Sequence, residues 1–185
     1  MTTPLEKMLE VAAGQHGLIT VAQAREAGVA SSEVRRHAQR GWLERRSHGI
    51  YRIASIPFDE YSEYAEAVLW TRGEGVIGSE TALVLWELAD VNPRKIDVVA
   101  PSGYRPKRQG AERYRIIYER LGAADVDHVV NVATVVPAIA IRQATERGTP
   151  GDLIEQALTQ AQARGLLDKR GAARLLLDLD ARATG

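Results

Sequence analysis

The chain has 185 residues, 45% hydrophobic and 26% charged, with 24 Lys and Arg balancing 24 Asp and Glu and no cysteine. This is the composition of a soluble globular protein long enough to bury its own core, as one domain plus a small one or as two small ones. It excludes disulfides and thiolate metal sites and contains no run near the roughly 18 to 20 apolar residues of a membrane span; with acids where a secretion signal needs a basic start, a cytoplasmic location is expected.

The neutrality hides a sorting of charge. Residues 1–55 hold eight Lys and Arg against five acids, residues 56–93 one against eight, and residues 94–121 eight against three. Most charge runs are solvated faces. A basic block gains meaning when it falls on a shape that can dock on phosphates.

In chain order, Leu5, Met8, Leu9 and Ala12 recur at helical spacing, and Gly14 or Gly17 ends that helix. Leu18 and Ile19 make a short apolar step. Thr20 is placed as an N-cap, with Gln23 completing a capping box, for a helix that stops at Gly28. Ser31 or Ser32 can cap a third helix, closed by Gly41. Two short helices joined around a glycine are a helix-turn-helix signature.

In the third helix Val34 and Ala38 lie four apart and can pack inward, which turns Ser32, Arg35, Arg36, Gln39 and Arg40 outward. Arginine reads guanine bidentately, glutamine reads adenine, and serine reads either or holds a phosphate. A helix N-terminus adds a positive dipole end for the backbone. His37 is open between packing and a phosphate contact.

After Gly41 the period changes to that of a strand, and residues 42–46 and 50–53 flank Ser47-His48-Gly49, which predicts a β-hairpin. A helix-turn-helix followed by a hairpin is a winged helix-turn-helix. Its wing would carry Arg45, Arg46 and Arg52 beside the recognition helix, to clamp flanking backbone or enter a minor groove. Winged helices also serve as protein-interaction modules without DNA affinity, which is the alternative reading.

Pro57 marks a boundary. Tyr61, Tyr64, Ala65, Val68 and Leu69 then form one face of a helix whose other face carries Glu60, Glu63 and Glu66, a poor neighbour for DNA. The glycines of GEGVIG (residues 73–78) formally fit a dinucleotide fingerprint, but no buried strand precedes them, so they predict a loop with Ser79 capping the next helix. Residues 96–101 and 114–118 read as strands around a basic loop carrying Arg105, Lys107 and Arg108, with Arg113 and Arg115 beyond. That loop is either solvated or a second basic contact, to nucleic acid or to an acidic protein surface. Residues 129–136 read as one more β-rich run. Pro137 begins a helix, Thr149-Pro150 cap another through Arg164, and Asp168 caps a last one through Leu179.

Catalytic constellations are absent from the sequence. The four histidines lie far apart, and no nucleophile-elbow or phosphate-loop motif occurs. No Lys stands two positions after a Glu, as a Mg²⁺-dependent nuclease would want. No enzyme, cofactor or metal is expected.

The stretch GLITVAQAREAGVASSEVRRHAQRGWLERRSHGIYRI, residues 17–53, resembles the N-terminal winged helix of the AbiE-type (type IV) toxin–antitoxin antitoxins. It shares their GLIT-like opening, AxxAG helix end, arginine-rich helix after serine, G-x-L and a final Gly49-Ile50-Tyr51-Arg52, with His48 where the family often has arginine. VIGSETALVLWEL and IDVVAP with its basic loop resemble the family's following helix and hairpin.

The resemblance implies an antitoxin that represses its own operon by binding inverted repeats in the promoter and neutralises a nucleotidyltransferase-like toxin, directly or functionally. It implies DNA-contacting roles for Ser32, Arg35, Arg36, Gln39 and Arg40 on the helix and Arg45, Arg46, His48 and Arg52 on the wing. Thr20 and Ser31, at helix starts, complete the set. The expected fold is α+β: a winged helix-turn-helix over residues 1–55, then a compact α/β domain over residues 56–185 ending in helices.

Overall fold

A computed structural model of the chain describes residues 2–101 and 111–183. It is α+β and divides into two compact units: the first takes Met1–Gly75 with residues 111–112 and Val130–Val132, and the second takes most of the remaining described residues from Val76 onward.

The first unit opens with α1 (Pro4–Ala13), started by a reciprocal capping box between Thr3 and Glu6 and stopped at Gly14. Its inward arc is centred on Met8 and Ala12, both fully buried. Leu9, expected on that face, lies at its edge and is 40% exposed. The apolar step at Leu18 is a strand, β1 (Leu18–Thr20). It leads into α2 (Val21–Glu26), where Thr20 and Gln23 form the expected capping box, with Gln23 N–H donating to Thr20 Oγ1 at 3.1 Å. Between α1 and β1, Gly17 is required twice over. Its φ is +73°, and a Cβ would come 2.7 Å from Ile56 Cγ2.

The third helix, α3 (Ser31–Gln39), corrects an expectation: its N-cap is Ala30, without a side-chain bond. Ser31 is already helical, and its hydroxyl instead accepts from Arg25 Nε at 2.9 Å. The hairpin forms as expected from β2 (Leu43–Ser47) and β3 (Ile50–Ile53). β3 lies between β1 and β2, antiparallel to both, with Leu18 opposite Arg52 and Leu43 opposite Ile53. Met8, Ile19, Val29, Val34, Leu43 and Ile53 meet in one core beneath the helices. The unit closes with α4 (Ser62–Trp70), packed on β1 and β3. Here the expected acidic face is split. Glu63 is exposed, but Glu66 is fully buried, because an arginine of the hairpin meets it.

The second unit contains β4 (Val76–Ile77), α5 (Ser79–Leu85), β5 (Ile96–Ala100), β6 (Tyr114–Tyr118), β7 (Val126–Val129), β8 (Val132–Val135), α6 (Pro137–Glu146), α7 (Gly151–Ala163) and α8 (Lys169–Ala183). Its five-stranded sheet has the order β6-β5-β4-β8-β7.

Several local expectations are revised. β5 and β6 pair in parallel, so they are not a hairpin. Thirteen residues separate them, room for the crossover that parallel strands need. The run at 129–136 breaks at Val130 and Asn131, whose φ values of 45° and 64° suit a tight turn between neighbouring strands. Ser79 does not cap α5: Gly78 is the N-cap, and Ser79 N–H donates to Gln143 Oε1 at 2.9 Å. Thr149 does not cap α7, whose N-cap is Pro150; its hydroxyl bonds Glu80 at 2.9 Å. Asp168 accepts from Gly171 N–H at the start of α8, as expected.

Candidate nucleic-acid interface

The outward face of α3 is exposed at Ser32, Arg35, Arg36, Gln39 and Arg40; of the expected inward pair Val34 is buried and Ala38 only partly so, and His37 takes the second buried place. Helical spacing sets this out, since positions three and four apart share a face and the basic residues fall between the inward ones. Among the described residues Arg35 has no acidic partner. Arg36 lies 2.7 Å from Glu33 one turn earlier, an exposed pair worth about 0.5 kcal/mol or less and easily exchanged for a phosphate. Arg40 sits over the Trp42 ring at 5.7 Å. His37 is a packing residue: its ring stacks on Trp42 at 5.1 Å.

The wing is less uniform than its composition. Arg45 is exposed opposite Tyr51, and His48 is exposed at the turn, where Gly49 takes φ +76°. Register shifts between Arg45 and Ser47, leaving Arg46 as the extra residue of a bulge, and bulges re-aim side chains. Arg46 Nε accordingly donates to the buried Glu66 carboxylate at 3.2 Å, while its guanidinium lies 4.4 Å from the Phe58 ring centre. Arg52 is held as firmly. It donates to Glu44, its cross-strand partner, at 2.7 and 3.2 Å, and to the Ile56 carbonyl at 2.5 Å. The structure thus brings the polar α3 residues, Arg45 and His48 to the surface, the arginines among them free or exchangeably paired, and commits Arg46 and Arg52 to carboxylates of the same unit. Thr20 and Ser31 are partly exposed, each with its hydroxyl already accepting a bond.

Residues 6–54 match a family described as transcriptional regulator, AbiEi antitoxin. That segment, the winged helix-turn-helix, is what the chain shares with AbiEi antitoxin regulators. The matched residues end just after β3, before α4 closes the sheet. A comparison with curated proteins gives no match. Among solved structures the chain is similar to the RV2827C protein from Mycobacterium tuberculosis, with 16% identity and a TM-score of 0.56 over 94% of this chain and 71% of that one. At that identity the likeness concerns the fold.

Sequence reasoning missed one basic residue of the first unit. Arg72, just after α4, is exposed and lines an open cleft with His48 beside the hairpin turn. Its only signal in the sequence is that it is the single cation among the eight acids of residues 56–93.

In the second unit, the loop residues Arg105, Lys107 and Arg108 lie outside the described residues. Arg115 bonds both carboxylate oxygens of the fully buried Asp97 and reaches Glu80 at 3.3 Å. Hydrogen bonds to Asp97 raise its pKa further above the ordinary arginine value against the opposing effect of burial. Arg113 lies over the Tyr114 ring at 5.2 Å. Among the described residues no three His, Asp or Glu side chains are placed to hold a metal ion, and no helix is long and apolar enough to cross a membrane.

Proposed function

We propose that the chain is an AbiEi-type regulator, a cytoplasmic transcriptional repressor and antitoxin. It would bind inverted repeats in its own promoter through residues 1–55 and neutralise a nucleotidyltransferase-like toxin through residues 56–185, without catalysis of its own. The observation that carries the reading is the exposed face of α3, where Ser32, Arg35, Arg36, Gln39 and Arg40 stand clear of the core on a winged helix. Base edges demand such donors, and the polyanionic backbone demands such charge. Arg45 and His48 extend that surface onto the wing. Arg46 and Arg52 shape the wing in this reading, since their guanidinium groups are already paired. Arg105, Lys107 and Arg108 are proposed as a second basic contact, to the toxin or to nucleic acid.

The test is fluorescence anisotropy of the full chain with the DNA upstream of its own gene, at low and physiological salt. Three to five phosphate contacts predict a log–log slope against salt of about −3 to −4.5. Tight, competitive binding of that DNA over a random duplex supports the repressor. Absence of salt-dependent binding to any duplex leaves the protein-interaction module as the reading.

A further inference from the structure

We propose that Arg72 and His48 form a second DNA contact, a cleft beside the winged helix that takes one deoxyribose-phosphate unit flanking the bases met by α3. The inference rests on the DNA-binding reading above and adds a residue outside the segment matched to the family.

The cleft measures about 330 Å³ and opens at the hairpin turn. Its floor is apolar, built from Val21, Ala22, Ile50 and Leu69, and its two ionisable groups are Arg72 and His48. Both side chains rise from fixed backbone. Val21 N–H donates to the Gly49 carbonyl at 2.9 Å, which ties the turn bearing His48 to the start of α2. Arg72 follows α4 at φ +65°, with its N–H donating to the Leu69 carbonyl at 3.0 Å. Among the described residues neither side chain has an acidic partner, although Glu74 is exposed two residues beyond Arg72. Arg72 is therefore a cation left free inside the acidic block, next to the wing.

Apolar floor and cationic rim together select the ligand. An inorganic anion would meet Arg72 and the His48 ring but leave the apolar lining bare. The nucleic-acid backbone alternates an apolar sugar with an anionic phosphate, so a sugar can cover Val21 and Ala22, which the cleft leaves accessible, while its phosphate meets Arg72. The floor also lowers the local dielectric, which strengthens that charge contact relative to one in open water. A backbone contact carries no sequence information; it fixes orientation on the duplex.

The experiment compares the full chain with its Arg72→Ala and Arg72→Lys variants in fluorescence anisotropy, using the upstream duplex and a random duplex between about 50 and 200 mM salt. Arg72→Ala is expected to weaken both duplexes by the same factor and to flatten the salt slope by about 0.9, one phosphate. Its deficit then shrinks about 3-fold from the lower to the higher salt. Arg72→Lys should restore most of the slope, and the thermal midpoint of both variants should match the parent protein.

A second arm replaces single flanking phosphates by neutral methylphosphonates. One linkage should weaken the parent protein and leave Arg72→Ala indifferent, the mark of a direct pair. If the parent binds DNA with a steep salt slope and Arg72→Ala leaves slope and affinity unchanged, the cleft is overturned while the repressor reading stands. If the parent binds no duplex, both fall. Equal competition by inorganic phosphate and by matched chloride, at constant ionic strength, is expected; a specific effect of inorganic phosphate would make the cleft a free-anion site and overturn the proposal.

Discussion

Arg46 stands on the bulge of β2 with its guanidinium over Phe58 and its Nε donating to Glu66, a carboxylate with no exposure to solvent. Removing the arginine leaves that buried charge with one partner fewer. The cost is about 2–3 kcal/mol, allowing for the 31% of the Arg46 side chain that water already reaches. Arg46→Ala is therefore expected to lower the urea unfolding midpoint. Adding Glu66→Gln should recover part of the loss, because an amide tolerates burial better than a carboxylate. An unchanged midpoint in Arg46→Ala would show that the pair does not hold the wing. Arg35 presents the opposite case, exposed and without an acid. Arg35→Ala should leave stability within about 0.5 kcal/mol. In competition binding against a panel of single base-pair changes, it should relax preference at one or two positions, by about 1–3 kcal/mol for each base that the arginine reads. Retained preference at every position would remove Arg35 from the reading face.

At the level of elements, α4 is held to the winged helix through its approach as well as its buried face. Asp59, just before it, accepts from Tyr61 N–H at 3.0 Å and from the Ser62 hydroxyl at 2.7 Å, and lies 2.8 Å from His16 Nδ1. Burial by itself would raise the Asp59 carboxyl; hydrogen bonds from His16 and Ser62, with the nearby His16 charge and the Tyr61 amide, outweigh it and hold the group below the usual carboxylate value. A carboxylate depressed in the folded state stabilises above its unfolded pKa of about 4, and that stability is lost as pH falls through the lower folded value. The unfolding midpoint should therefore drop more steeply as pH falls below about 4 in the parent protein than in Asp59→Asn. Parallel curves would mean that the carboxylate contributes nothing. The same helix shows the limit of periodicity: Glu63 and Glu66 sit one turn apart, yet one is solvated and the other buried, because Arg46 reaches only the second.

For the whole molecule, the first compact unit continues to Gly75, since α4 covers β1 and β3 and supplies Glu66 to the wing. A fragment of residues 1–75 should then unfold cooperatively and bind the upstream duplex, whereas residues 1–55 alone should show a broad or missing transition by circular dichroism. Equal cooperativity of the two fragments would place the structural boundary before α4.

Much of this architecture was legible because its causes are local. The Thr20–Gln23 box, the stop at Gly28, the outward arginines of α3 and the hairpin around Gly49 depend on bonds and side-chain directions within about four residues. The Arg52–Glu44 pair could have been found from hairpin register, had the bulge been known. Other features have no local cause. Glu66 is twenty residues from Arg46, and the parallel partner of β5 lies across a thirteen-residue connection. Sequence alone carried the winged helix and its charge, because caps and periodicity are short-range. Which of those charges remain free was settled by the fold, because an arginine's availability depends on the carboxylates that folding brings to it.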